Sequence, residues 1–228
     1  MICLFVEFRS DGVVAESDQL ADMLAGIDGL ASSLVHTPST TLDPYLNDGA
    51  PPALALQLYF TDIAAMEAAL APKGPLQALA DGTLLPSLAG AAVTQQAMLV
   101  RTFPVPDPVF RAEVGTPHCT YLVTYEGAAE DLNLWLSYYI DHHPTIMARF
   151  PGIREIEIYT RIDWCSFLPF KRVHHMQRNK VVFDSPTALT EALNSPVRHA
   201  MREDFHKFPA YAGPNTHFPM LTQLILGR

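Results

Sequence analysis

Residues 59–70 (YFTDIAAMEAAL) and residues 182–193 (VFDSPTALTEAL) carry one pattern: the end of a β-rich run, a polar cap, and an apolar helix finishing in Ala-Leu. A repeat of this kind limits the fold more than any compositional figure, because whatever unit holds one copy must be built twice in the same chain. Reading outward from each copy gives the same order of elements. In the first half, strands are expected over 2–9, 29–37, 53–60 and 91–105. A helix lies over 16–27, where Leu20, Met23, Leu24 and Ile27 have helical spacing, and another follows Asp62. A polar, proline-containing loop, 38–52, separates the second and third strands. In the second half, strands are expected over 118–126, 153–161, 172–183 and 216–226. Helices are expected over 130–149 and after the Ser185-Pro186 and Ser195-Pro196 pairs. Both halves read βαββαβ.

Pro104, Pro106, Pro108 and Pro117 mark a stiff linker between the halves. The expected organisation is therefore residues 1–106 as a first, structural ferredoxin-like repeat and residues 117–228 as a second repeat that holds the pocket. A βαββαβ unit leaves one sheet face bare. Two such units are expected to pack sheet to sheet as an intramolecular dimeric α+β barrel with the helices outside.

Charge and cysteine content narrow the partners. The formal net charge of −9 and the lack of a Lys/Arg cluster argue against a nucleic-acid surface. The three cysteines, Cys3, Cys119 and Cys165, have no CxxC spacing, which fits a reducing, cytoplasmic setting. The apolar opening at 2–8 is too short to span a membrane, so no membrane partner is expected. HExxH, HxxxH, CxxC, GxSxG and glycine-rich phosphate motifs are all absent, leaving no local signature for zinc, nucleotides or a serine nucleophile. No metal and no cofactor is expected, although a single helix histidine would suffice as a haem ligand.

The second half carries the polar groups. In residues 138–152 (YYIDHHPTIMARFPG), Pro144 should interrupt a helix and leave His143 at a kink. Leu132, Trp135, Leu136, Tyr139 and His143 share one helical face, which points His143 toward the sheet and His142 away. A neutral imidazole in an apolar pocket can act as a base, while a helix-end histidine that only caps a freed carbonyl is the competing role. Tyr121, Val123 and Tyr125 alternate on one side of their strand, where the first half has Leu4, Val6 and Phe8. His175, Gln177 and Asn179 likewise stand where the first half is apolar. Residues 164–170 (WCSFLPF) bring Trp164 and two phenylalanines on a loop that could cover a pocket or meet a second copy in a homodimer.

Residues 138–152, with a helix ending in histidine before Pro-Gly, resemble the EthD-like branch of the dimeric α+β barrel superfamily. SPVRHAMREDF (195–205) is similar to that family's second-helix segment, with its Ser/Thr-Pro start, alanines and acidic end. The resemblance spans the second half, and His143 takes the place of the family histidine. The family usually has proline two positions later, whereas Pro144 follows directly here. The superfamily includes cofactor-free cyclases, decarboxylases, isomerases and quinol-forming monooxygenases, and some members bind haem. The resemblance implies one pocket between sheet and helices for an aromatic molecule. The expected function is a cofactor-independent lyase, by decarboxylation or other one-carbon loss, or an isomerase, acting on a phenolic small molecule. His143, His175 and Tyr125 are the candidate catalytic residues. Tyr121, Tyr139, Asn179, Gln177 and Trp164 are the candidate substrate contacts. A haem-binding or cofactor-free oxygenase and a non-catalytic ligand binder are the alternative readings.

Overall fold

A computed structural model describes residues 1–113 and 115–227; Arg228, the last residue of the second expected repeat, lies outside the described residues. Runs rich in β-branched, leucine and aromatic residues form β1 (Ile2–Arg9), β2 (Leu30–Pro38), β3 (Leu54–Phe60) and β4 (Ala92–Phe103) in the first half. Helices α1 (Ser17–Ala25) and α2 (Ile63–Ala69) lie between them, and the Asp62 carboxylate caps α2 by accepting the Ala65 amide at 2.9 Å. The second half supplies β5 (His118–Tyr125), α3 (Leu132–Met147), β6 (Ile153–Arg161), β7 (Lys171–Arg172) and β8 (Gln177–Phe183). Helices α4 (Pro186–Leu193) and α5 (Val197–Phe205) and strand β9 (Asn215–Leu226) complete it. Among the described residues no helix is long and apolar enough to cross a membrane.

The strands hydrogen-bond in the order β1-β3-β2-β9-β5-β8-β6-β4, and β4 pairs back onto β1. All of these pairings are antiparallel, so the result is a closed eight-stranded barrel; two-residue β7 only adds a short parallel pairing outside β4. The first half contributes the run β4-β1-β3-β2 and the second the run β9-β5-β8-β6. The halves meet edge to edge at β2/β9 and β4/β6, so closure removes the four exposed edges that two separate sheets would have.

Side-chain alternation divides each strand between barrel interior and helix layer. Leu4, Val6 and Phe8 of β1 pack outward with Leu20 and Leu24 of α1 and Met66 of α2. Tyr121, Val123 and Tyr125 of β5 pack outward with Trp135 and Tyr139 of α3. The inward residues are unusually polar. Lys180 is 1% exposed; its ammonium lies 3.1 Å from Glu157 and donates to the Tyr59 hydroxyl at 2.9 Å. Tyr59 and Tyr159 both donate to the same Glu157 oxygen, at 2.7 and 2.6 Å. Gln57 bridges from Tyr159 to His36, which reaches Thr222 and through it Thr120. Arg178 pairs with Glu7 in the same interior. These contacts join residues of both halves.

Three local expectations change. The strand expected over 172–183 is broken, with β7 ending at Arg172 and β8 starting at Gln177, so strand alternation does not extend back to His175. Helix α3 runs through Pro144 to Met147 without stopping. His143, Pro144 and Met147 are all buried there, and the Thr145 hydroxyl donates to the His142 carbonyl at 2.6 Å. Ser185 caps α4 as expected, but Ser195 does not cap α5; its hydroxyl donates back to the Ala192 carbonyl at 2.7 Å. The proline-rich linker is pinned by Arg154, which bonds Asp107 at 2.7 Å and Asp184 at 2.8 Å. Gly152 at φ 74° makes the turn from α3 into β6, a conformation that favours glycine.

A buried ion pair that loses one partner leaves the other charge uncompensated. Lys180→Met is therefore expected to lower stability by about 3–5 kcal/mol in chemical denaturation, with partial recovery in Lys180→Met/Glu157→Gln. An unchanged denaturation midpoint in the single variant would show that the pair does not hold the barrel.

Candidate functional site

The barrel interior is filled, so the open space lies on the outer face of the second-half sheet. A cavity of about 880 Å³, counting its open mouth, sits between β5, β8 and β9 on one side and α3 and α5 on the other. Val123, Met147, Phe150, Val181, Leu193 and Phe205 make its apolar walls, and His143, Asn179, Arg198, Arg202, Asn215 and His217 supply polar groups. A largely apolar cavity with a few convergent polar groups suits a small organic molecule.

Helix α3 presents His143 to this cavity for a reason legible in its spacing. The Asp131 carboxylate caps the helix, accepting the Leu134 amide at 3.0 Å, and Trp135, Tyr139, His143 and Met147 then follow at four-residue intervals and are all buried. His143 Nδ1 lies 2.7 Å from Asp204 Oδ2, and the Tyr138 hydroxyl donates to Asp204 Oδ1 at 3.0 Å. An ionised carboxylate only accepts, so Nδ1 carries the proton and Nε2 keeps its lone pair. Burial pulls the His143 pKa below its ordinary value, and the Asp204 hydrogen bond and charge only partly oppose that. Burial also pushes Asp204 upward, but the bonds from His143 and Tyr138 outweigh it and leave the carboxyl below its usual range. The two directions agree on one state: a neutral imidazole held on an ionised carboxylate.

The phenols behave as walls and donors. Burial, then the Asp43 charge, raises the Tyr121 pKa well above normal, and its hydroxyl donates to Asp43 Oδ2 at 2.5 Å. Tyr125 sits among Trp135, Tyr139, Phe208 and Tyr211, and burial with the neighbouring phenols raises its pKa as well. Both remain protonated at neutral pH. Asn179 lines the cavity and donates to the Tyr139 hydroxyl at 2.7 Å, which places Tyr139 behind the wall.

His143, Tyr121, Tyr125 and Asn179 thus come together at one cavity, and the other expected site residues do not. His175 stands in the irregular segment before β8, facing Arg178, Glu7 and Arg9, where burial first and Arg178 second lower its pKa to about 4. Gln177 is fully buried beneath the wall and Tyr139 stands behind Asn179; neither lines the cavity. Trp164 packs into the first-half core with Arg172 4.3 Å over its ring, because the loop 164–170 folds back across α2 and β4.

Several residues at the mouth escape sequence reasoning. The loop 39–53 of the first half reaches across to the second. Asp43 takes both Tyr121 and Arg198, the latter at 3.2 Å, and Asp48 Oδ2 accepts the His217 amide at 2.8 Å and lies 2.9 Å from its Nδ1. The first half therefore does more than close the barrel. Asp204 belongs to the acidic end of the segment 195–205, and that acidic end is the only signal that could have marked it. Nothing in the pattern of residues 38–52 points to Asp43 or Asp48.

No protein-family model matches the sequence, and no curated protein does. Among solved structures, an anthrone oxidase-like protein covers 98% of the chain and 93% of its own, with 11% identity and a TM-score of 0.60. A protein from Fusobacterium nucleatum, provisionally named a monooxygenase, covers 97% of the chain and 91% of its own, with 9% identity and a TM-score of 0.58. At such identities the likeness is one of fold, the dimeric α+β barrel. An EthD family protein from Bacillus halodurans aligns with 43% of the chain and 96% of its own (17% identity, TM-score 0.35), below the level at which a likeness carries weight.

The dyad has a direct readout. In imidazole NMR, His143 is expected to titrate below 6.5 and so to be neutral at pH 7. In Asp204→Asn the burial effect stays while the opposing charge is lost, so the pKa should fall further. A rise in that variant would contradict the assigned arrangement.

Proposed function

We propose that this chain is a small-molecule enzyme, a cofactor-independent lyase or isomerase that acts on an aromatic, phenolic substrate by histidine acid-base catalysis. The observation that carries the reading is the buried His143–Asp204 pair at a largely apolar cavity. His143 Nε2 removes a proton from the phenol or from a carbon activated by it. Asp204 then stabilises the imidazolium that forms, and the substrate anion faces that imidazolium in a cavity where water screens little. Tyr121 and Tyr125, held protonated, shape the wall and present no competing base. The anion either takes the proton back from His143 at the carbon that then releases a one-carbon fragment, the lyase outcome, or takes it back at another carbon with nothing lost, the isomerase outcome. The matching strand order of the two halves supports a tandem duplication of a ferredoxin-like unit, of which only the second copy carries this pair.

A second reading is a cofactor-free oxygenase in which the same anion meets dioxygen. The names of the anthrone oxidase-like and monooxygenase neighbours favour it, and it uses the same base.

The test begins with an absorbance scan of the protein as isolated, where a Soret band would replace both readings with haem chemistry. Incubation with phenolic substrates under air and under nitrogen, followed by mass spectrometry, separates one-carbon loss from oxygen incorporation. His143→Gln is expected to lower kcat by ~10² to 10⁴. The wild-type rate should hold from neutral pH to below 6.5 and then fall as the imidazole is protonated. Full activity in His143→Gln would exclude the dyad as the base.

A further inference from the structure

A base at the floor of a cavity needs its substrate in one orientation, and the cavity mouth offers an imbalance that can supply it. The carboxylates there are already engaged. Asp43 Oδ1 accepts the Tyr45 and Leu46 amides at 2.7 and 3.1 Å, and its Oδ2 takes Tyr121 and Arg198. Asp48 Oδ2 takes the His217 amide and faces the His217 ring. The cations at the mouth are left with open donors. Arg198 gives Asp43 a single N–H, and its Nε is buried with no hydrogen-bond partner. Arg202 lines the same cavity, is solvent-exposed, and has no ion pair or side-chain hydrogen bond among the described residues. The two arginines are four residues apart on α5 and so stand on one helical face. A chain with a net charge of −9 thus places two arginines with open donors at the entrance of its apolar cavity.

Guanidinium groups with unused N–H donors suit a planar anion, and the apolar walls below suit a ring. We propose that the site takes an aromatic carboxylate, bound with the carboxylate at Arg198 and Arg202 and the ring between Val123, Val181 and Phe205. The carboxylate is thereby held at the mouth, and the far edge of the ring is turned toward His143. Arg198 and Arg202 are specificity-determining residues, and the carboxylate they hold is an anchor, kept through turnover. The proposal rests on the catalytic reading above only for what happens at His143; binding can be read without turnover.

The experiment compares 1-naphthoate with its neutral counterpart 1-naphthamide by calorimetry on the full chain at pH 7. Naphthoate is expected to bind about tenfold more tightly than the amide, as a charge-assisted hydrogen bond provides. Arg202→Gln, at an exposed position, should remove most of that preference by weakening naphthoate far more than naphthamide, and added salt should weaken naphthoate alone. Arg198→Lys should reduce the preference in part. His143→Gln should keep it, so a failure of the catalytic reading leaves this result standing. Equal wild-type affinities, no binding of naphthoate at millimolar concentration, or an undiminished preference in both arginine variants would overturn the proposal.

Discussion

Lys180 and Glu157, buried inside a closed barrel, are the constraint to which the rest of the structure answers. Two charges removed from water are tolerable only with close mutual contact and with their remaining hydrogen-bonding capacity met. Here Tyr59, Tyr159, Gln57 and His36 extend that contact from β6 and β8 of the second half to β2 and β3 of the first. The network works only if the halves close at both joints, β2/β9 and β4/β6. A side chain from either half alone would leave the other's polar groups unpaired in an apolar shell.

A filled interior also decides where open space can form. With tyrosines, a lysine and two glutamates occupying the space between the sheets, the cavity forms on the outer face, under α3 and α5. The first-half sheet has the equivalent face packed with Leu4, Val6 and Phe8 of β1 and Leu54, Leu56 and Leu58 of β3 against α1 and α2. In the second half Tyr121 and Tyr125 stand where the first has Leu4 and Phe8, Asn179 lies on β8 and His143 comes from α3, and each of these needs a partner or a ligand. Asymmetry between the halves is thus a matter of which side chains fill the helix-sheet layer, on the same run of strands.

The first half contributes to the site through one loop. Residues 39–53 cross the mouth and place Asp43 on Tyr121 and Arg198, and Asp48 on His217. These contacts fix the phenol's hydrogen and orient the arginine, coupling the position of the loop to the polarity of the entrance. A loop that joins two strands of one half and works at the other half's cavity ties the two segments together at a second place, beyond the barrel joints.

Much of this was legible in the chain. The repeat of residues 59–70 in 182–193 determined the order of elements, and periods of two and 3.6 residues determined which faces are apolar. The four-residue spacing of Trp135, Tyr139 and His143 determined that the histidine would face the sheet. Local patterns carry such information because backbone geometry fixes side-chain direction within an element. What only the tertiary structure decided are the pairings between elements: Asp204 with His143 across 61 residues, and Asp43 with Tyr121 across 78. It also moved His175, Gln177 and Trp164 away from the cavity, the first because β8 begins only at Gln177 within the strand expected over 172–183. Such contacts depend on how helices cross a twisted sheet and where a long loop is drawn, and no periodicity along the chain encodes either.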